Sequence, residues 1–300
     1  GNTSGSFKGN FDGNGKTISG LWINRPKTNY VGLFGYVDYV RMNEKNVFPI
    51  IKNLTLKDIS IHGEYYVGGV VGFGVCDIDS VTLIGNVMGN NYVGGIVGDG
   101  SSCTNCIVYG EITGQKYVGG VGGSVGNTDH CISFVTLSSS FGYCGGIGGE
   151  LLYSAEKNYS HCKITSNGDH TGGIGGYSGH ISDSYTTGTL ISINGKMGGI
   201  CGVSTGHCER NYSLVSMIAG DTIGGIAGLV AGRQSPGSAY SNVVMCPQIK
   251  GKGEHIGKIY GSRSNCYVGS VGTTKSNKAL TTTKIIVDGV EQSSTGDNEQ

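Results

Sequence analysis

A glycine word that reads VGGVVG at Val67 and VGGIVG at Val93 keeps returning. Marked at its second glycine, it falls at Gly69, Gly95, Gly120, Gly146, Gly173, Gly199 and Gly225, with steps of 26, 25, 26, 27, 26 and 26 residues. Variant copies stand before and after, as NYVGLFG around Leu33 and HIGKIYG around Lys258. A unit of this length cannot bury an apolar face alone, so the period demands an array in which each unit covers its neighbour. A cofactor-binding glycine loop is needed once, which sets that reading of the glycines aside.

Between the glycine marks runs a second word, seen as IKNLTL, IDSVTL, HCISFVTL and RNYSLV. It aligns on a small polar column of Asn53, Ser80, Cys106, Cys131, Asn158, Ser184, Asn211, Asn242 and Cys266. Alternate positions follow, as Thr55, Thr82, Val108, Ser133, Thr186 and Val244, then Ile84, Val135, Cys162 and Val215, then Ile59, Ile112, Leu137, Ile164, Leu190 and Met217. Period 2 is the mark of a strand with one buried face, and no stripe of helical period occurs. The fold class is therefore all-β, a parallel β-solenoid of about nine coils of ~26 residues, expected to be right-handed because strand crossovers favour that hand. In VGGIVG the first apolar residue and the one three later both belong in the core, which strict alternation forbids. A bend at Gly68-Gly69, Gly94-Gly95, Gly119-Gly120 and Gly145-Gly146, permitted by positive φ and by close chain approach, turns both inward. These glycines are read as structural corners.

Composition narrows the function. Glycine supplies 57 of 300 residues, far above the usual ~7%, and only 14% are charged. A formal net charge of zero gives no pull toward nucleic acid or anionic membrane. No signal peptide and no run of about 18 apolar residues is present, so a direct membrane insertion is not expected, and an export signal or anchor would lie outside these residues.

At the glycine words the sequence resembles the GLUG-motif repeats, glycine-rich units of bacterial surface proteins that include adhesin-like proteins and non-catalytic portions of some immunoglobulin-A-cleaving metallopeptidases. The likeness runs from Val31-Gly32-Leu33-Phe34-Gly35 to His255-Ile256-Gly257 and is weakest at Gly172 to Gly176 and Gly257 to Gly261. Residues 7 to 24, FKGNFDGNGKTISGLWIN, resemble the lead-in strand of such arrays. The resemblance implies an exported, extracellular or cell-surface protein of repetitive β architecture, part of a larger multidomain chain. It does not imply catalysis, because the family's peptidases carry HExxH in a separate domain and no HExxH occurs here.

Several residue groups are candidate sites. Tyr30, Tyr66, Tyr92, Tyr117 and Tyr143 precede the inward residue on successive coils and should form an outward ladder, and Tyr159, Tyr185, Tyr212 and Tyr267 a second one. Such rows stabilise a sheet surface by stacking, or present amphipathic rings to a host or dietary glycan or a surface protein. Asp129, Glu156, Asp183 and Glu209 fall near one another on successive coils. Carboxylates about 5 to 10 Å apart suit a glycosidase or calcium, but Lys157, His130 and Arg210 interleave and favour a neutralised ridge. GNGKT at Gly13 to Thr17 lacks the first glycine of a phosphate loop and reads as a turn. Of ten cysteines most replace small apolar residues in their columns. Cys106 and Cys131 lie on neighbouring coils with parallel Cβ vectors, which disfavours a disulfide, and thiols are expected. Zinc at the lone C-x-x-C is set aside, and no metal or cofactor is assigned.

Residues 1–275 are taken as the solenoid with a cap over about 1–30, and 276–300 as a closing strand and disordered tail or linker. Loops are expected at Arg41 to Phe48 and at Arg233 to Gly237. The function expected is a non-enzymatic surface module, an adhesin-like binding face or rigid spacer, with a polysaccharide-active β-helix using the four acids as the alternative.

Overall fold

The computed structural model describes residues 5–232, 238–252, 255–265 and 273–292, and every regular element among them is a strand. Strands stack in parallel into a 27-stranded sheet wrapping most of each coil, and an 8-stranded sheet forms the remaining wall. That narrow wall takes one strand per coil, from Tyr65–Gly68 through Asn91–Gly94 and Lys116–Gly119 to Ile256–Gly257. Val93 lies beside Val67 on one side and Val118 on the other, all in register and buried. The chain is a parallel β-solenoid. Among the described residues, eight strands bound seven complete laps, fewer than the nine copies of the word suggest, because the first copy supplies only an isolated bridge from Val31 to Val67.

Period 2 within each lap places the core. Ile112, Leu137, Ile164, Leu190 and Met217 are fully buried in one column. Val67 and Val70, Val93 and Ile96, Val118 and Val121 are likewise buried on both sides of their corners. The paired glycines stand at the corners as expected, but for a different reason. None of the eight has a positive φ. The left-handed backbone falls instead on the preceding tyrosines Tyr30, Tyr66, Tyr92 and Tyr117, with φ between +56° and +59°. Glycine is required by contact. A Cβ on Gly95 would lie 2.6 Å from Val108 Cγ1, which reaches across the core, and one on Gly68 would lie 2.7 Å from the Gly98 nitrogen of the next lap. A third glycine column, Gly72, Gly98 and Gly123, lets two walls meet backbone to backbone: a Cβ on Gly98 would sit 2.6 Å from Val67 N.

The small polar column needs a one-residue correction in the first two laps. Leu54 pairs with Val81, and Thr82 with Ile107, so the residues above Cys106 are Val81 and Leu54. Asn53 and Ser80 belong to the neighbouring left-handed column with Asn105, His130, Lys157, Asp183 and Arg210, where φ is +50° to +54°. Thr55, Thr82 and Ile84 shift with them, and Leu56 and Leu83 take the inward places beside Val108, while Ile59 stays buried but pairs with Gly85 across a bulge and leaves Ile61 and Val87 in the column of Ile112. Such a slip exchanges the faces of a whole strand. At the other end, the position above Asn242 is Asn277, not Cys266, which lies outside the described residues with Tyr267.

The ends follow. Phe11–Ser19 and Trp22–Asn24 lie parallel against Ile50–His62 as the first rung. The GNGKT stretch is a bulged turn: Asn14 and Gly15 have φ of +50° and +68°, and the Asn14 N–H donates to Asp12 Oδ1 at 2.8 Å. The loop at Arg41 to Phe48 is mostly an antiparallel hairpin, Val40–Met42 with Lys45–Val47. Stacking continues past Lys275. Lys284–Val287 lies parallel on Gln248–Gly251 and turns back as a hairpin with Val290–Glu291. The segment Arg233 to Gly237 and the tail from residue 293 lie outside the described residues.

Candidate binding faces

Four outer surfaces carry chemistry. The first tyrosine row forms a ladder, with rings face to face from Tyr30 to Tyr66 (5.1 Å, 7°), Tyr66 to Tyr92 (5.0 Å, 11°) and Tyr92 to Tyr117 (4.5 Å, 4°). The left-handed backbone of these residues folds each ring over the corner against the strand beyond it, where Phe73 meets Tyr66 edge-on at 5.5 Å. The rings are half-buried, and burial raises the phenol of Tyr92 far above its ordinary value. Burial likewise raises the carboxyl of Asp99 on the facing strand. At Tyr143 the geometry changes: Gly142 takes the positive φ (+84°), and the Tyr143 ring meets Tyr117 at 85° and stacks on Tyr177 at 5.5 Å. Ring faces within Tyr30–Tyr117 are thus occupied by one another, leaving edges and hydroxyls for any ligand.

The second row, Tyr159, Tyr185 and Tyr212, is in register on the long sheet. Tyr159 stacks on Tyr185 at 5.3 Å and 12°, and Tyr212 is 48% exposed. Beside it runs an aromatic pair that the repeat words conceal, Tyr109 on Phe134 at 5.0 Å and 3°. These two stand where the other laps carry His161, Thr187 and Leu214, so no column of like residues marks them. Trp22, the single tryptophan, is 69% exposed on the first rung.

The acids are brought together and paired. Asp129 and Glu156 are neighbours in register, and Glu209 lies beside Ser182. Asp183 projects from the left-handed corner and takes a two-pronged contact from Arg210, at 2.8 and 2.7 Å, while Arg210 also reaches Glu209 at 3.0 Å. His130 contacts Asp129 at 2.8 Å, and Ser154 donates to Glu156 at 2.7 Å. The Arg210 hydrogen bonds hold Asp183 below the usual carboxylate range. For Glu209 burial pulls upward, but hydrogen bonds from Tyr240 and Arg210 prevail and it too is lowered. A general acid for glycoside cleavage needs the reverse, a carboxyl held protonated. Among the described residues no group of three or more His, Cys, Asp or Glu side chains is placed to hold a metal ion.

All nine cysteines among the described residues are buried and free. Burial pushes Cys76 and Cys162 up to about 11, and the Cys106 thiol is raised by its hydrogen bond with Cys103 and by burial, so these are inert core groups rather than nucleophiles. The polar inner column contains more than the sequence words suggest. Asn158, Ser184, Asn211, Asn242 and Asn277 form a buried ladder in which each side-chain oxygen accepts the backbone N–H one lap before it, at 2.9 to 3.1 Å. Asn211, Asn242 and Asn277 each donate from Nδ2 to a backbone carbonyl as well.

The fourth surface is a groove on the long sheet. Gly85, Gly110 and Gly188, with φ of +151°, +136° and +112°, kink three strands at one column, with Val135 and Cys162 on the two strands between Gly110 and Gly188. The bend leaves a channel of about 540 Å³, floored by Gly110, Val135, Cys162 and Gly188. Phe134 and His161 stand on one wall, and Glu111, Thr136, Lys163 and Thr189 on the other. A second hollow of about 340 Å³ continues it from Glu111 through Asn86 and Ser60 to Trp22.

No family model matches the chain. No solved structure matches it. Over 86 residues, 29% of this chain, it is 38% identical to halomucin of Haloquadratum walsbyi, and that match covers about 1% of the relative's length.

Proposed function

We propose that this chain is a rigid, non-enzymatic repeat module of an exported surface protein, related to the GLUG repeats, which holds binding faces or partner domains away from the cell. The pairing of the acids carries this reading: each of Asp129, Glu156, Asp183 and Glu209 already has a side-chain partner, and neither Asp183 nor Glu209 is held protonated. A continuous ladder core gives the stiffness a spacer needs. The local similarity to a protein named as a mucin supports a place outside the cell.

Two measurements on the protein as it occurs in its cell test the reading. Intact cells should lose the module to added protease, and purified protein should release no reducing ends from soluble polysaccharides. Protection inside intact cells overturns the surface assignment, and steady release of ends that Glu156→Gln or Glu209→Gln abolishes overturns the non-enzymatic one.

A further inference from the structure

The groove repeats its wall chemistry once per lap. Glu111, Thr136, Lys163 and Thr189 are consecutive in one outward column, paired in register, so the step between them is the spacing of adjacent strands, about 4.8 Å. An extended polymer lying along the solenoid axis meets a fresh polar side chain at each step. That spacing matches one pyranose unit of a linear glycan. It does not match a peptide, whose residues advance about 3.3 Å in extended form. Peptide capture by strand addition needs an open sheet edge, whereas the floor residues are paired in the ladder on both sides.

Charge narrows the occupant further. Glu111 and Lys163 carry opposite signs two rungs apart, so a uniformly charged chain is repelled by one of them, and single-stranded nucleic acid would want a basic track. Hydroxyl and amide groups at Thr136, Thr189 and Asn86 are suited to sugar hydroxyls. The stacked pair of Tyr109 and Phe134, 40% and 37% exposed, offers an apolar strip of ring edges along the opposite wall. The groove spans several coils without a closed end, which suits internal segments of a chain.

We infer that this kinked channel, from Glu111 to Thr189 and on toward Trp22, binds an extended, uncharged polysaccharide along the solenoid axis. The inference rests on the binding-module reading and gives it a ligand class and a site other than the tyrosine ladder. The test is isothermal titration of the full chain with linear β-1,4-linked gluco-, manno- and xylo-oligosaccharides of two to six units, and with oligogalacturonates of equal length.

At least one neutral series should bind, with affinity rising across the series to six units, because the outward column offers seven rungs from Trp22 to Thr189. Thr136→Trp, which plugs the channel at an outward strand position that accepts aromatics, should weaken binding at least tenfold with an unchanged melting temperature. If that variant fails to fold, Glu111→Ala with Lys163→Ala supplies the same readout from exposed positions. Tyr92→Ser should leave affinity unaltered. Silence from all three neutral series, tighter binding of the oligogalacturonates, or affinity unmoved by the groove variants overturns the inference. Such silence leaves the surface-module reading intact, because that reading stands or falls on protease access and reducing-end release.

Discussion

One inner column has two chemistries along the rod. In the early laps it is apolar, Leu54 above Val81, and it passes through the thiols of Cys106 and Cys131. From Asn158 to Asn277 it is a hydrogen-bonded ladder of amides and one serine, buried as completely. Outside, the early laps carry the stacked rings of Tyr30 to Tyr117, and the later ones His170 and Lys196 in the same column, which ends in a buried Thr222. Both halves keep one coil geometry. The early half is held by non-directional burial and ring contact, and the later half by directional bonds that fix each rung against the next.

The largest expected effect ignores the difference and tests what the halves share. Gly98→Ala places a Cβ against Val67 N, 2.6 Å away, with the Gly72 carbonyl closer still. Neither backbone can retreat without opening the lap, so the variant should lose its cooperative melting transition in calorimetry.

Next comes the column itself. Asn211→Ala strands the Ser184 N–H and the Ile181 carbonyl in the core, which at about 1–3 kcal/mol for each orphaned group amounts to about 4 kcal/mol. Leu54→Ala in the early half only opens a cavity and should cost about 2–3 kcal/mol. Urea denaturation of both variants decides the matter, and equal losses would mean that the amide ladder adds nothing beyond filling space.

The junction between the halves should respond to acid. His170 meets Tyr143 at 4.8 Å, its Nδ1 is buried without a hydrogen-bond partner, and burial lowers its pKa to about 4, helped by Lys196 and opposed by Asp169. Between pH 6.5 and 4 the unfolded imidazole takes up a proton that the folded one refuses, so stability falls as pH drops through that window and levels off below it. The shift is worth up to about 3 kcal/mol. His170→Tyr extends the aromatic row and should flatten that part of the stability profile.

The smallest effect is that of single rings. Tyr92→Ser removes two face-to-face contacts, each worth about 0.5–1.5 kcal/mol, and should lower stability by about 1–3 kcal/mol. Thr222, at the matching place in the later half, is buried but has no stacked ring to lose, so Thr222→Ser should cost only its buried methyl, about 0.8 kcal/mol.

Much of this was legible in the chain. The corner valines, the tyrosine rows and the contacts of His130 and Arg210 with the acids follow from the spacing of their words, whereas the Ser154 partner of Glu156 does not. Other features were not. IKNLTL and RNYSLV look alike, yet Asn53 sits in the left-handed outer column and Asn211 in the core, because only the neighbouring lap, which sets Leu54 beside Val81 and Asn211 beside Asn242, distinguishes the two settings. Tyr109 and Phe134 share a column with a histidine, a threonine and a leucine, so no repeated residue type gave them away. Nor could any spacing show that the glycine kinks at Gly110 and Gly188 hollow the outer face between them.

What the amino-acid order determined alone is local and periodic: strands in place of helices, a lap of about 26 residues, and the alternation of inward and outward side chains. These depend on neighbours a few positions apart, and repetition reinforces them in every lap. Tertiary structure decided what depends on residues a lap or more away. The paired glycines owe their place to the backbone of the next lap and not to a turn angle, and the tyrosine faces are closed by the tyrosines above and below. Asp183 is quenched by an arginine 27 residues distant. Contact between stacked coils sets each of these, and no single unit contains its own neighbour.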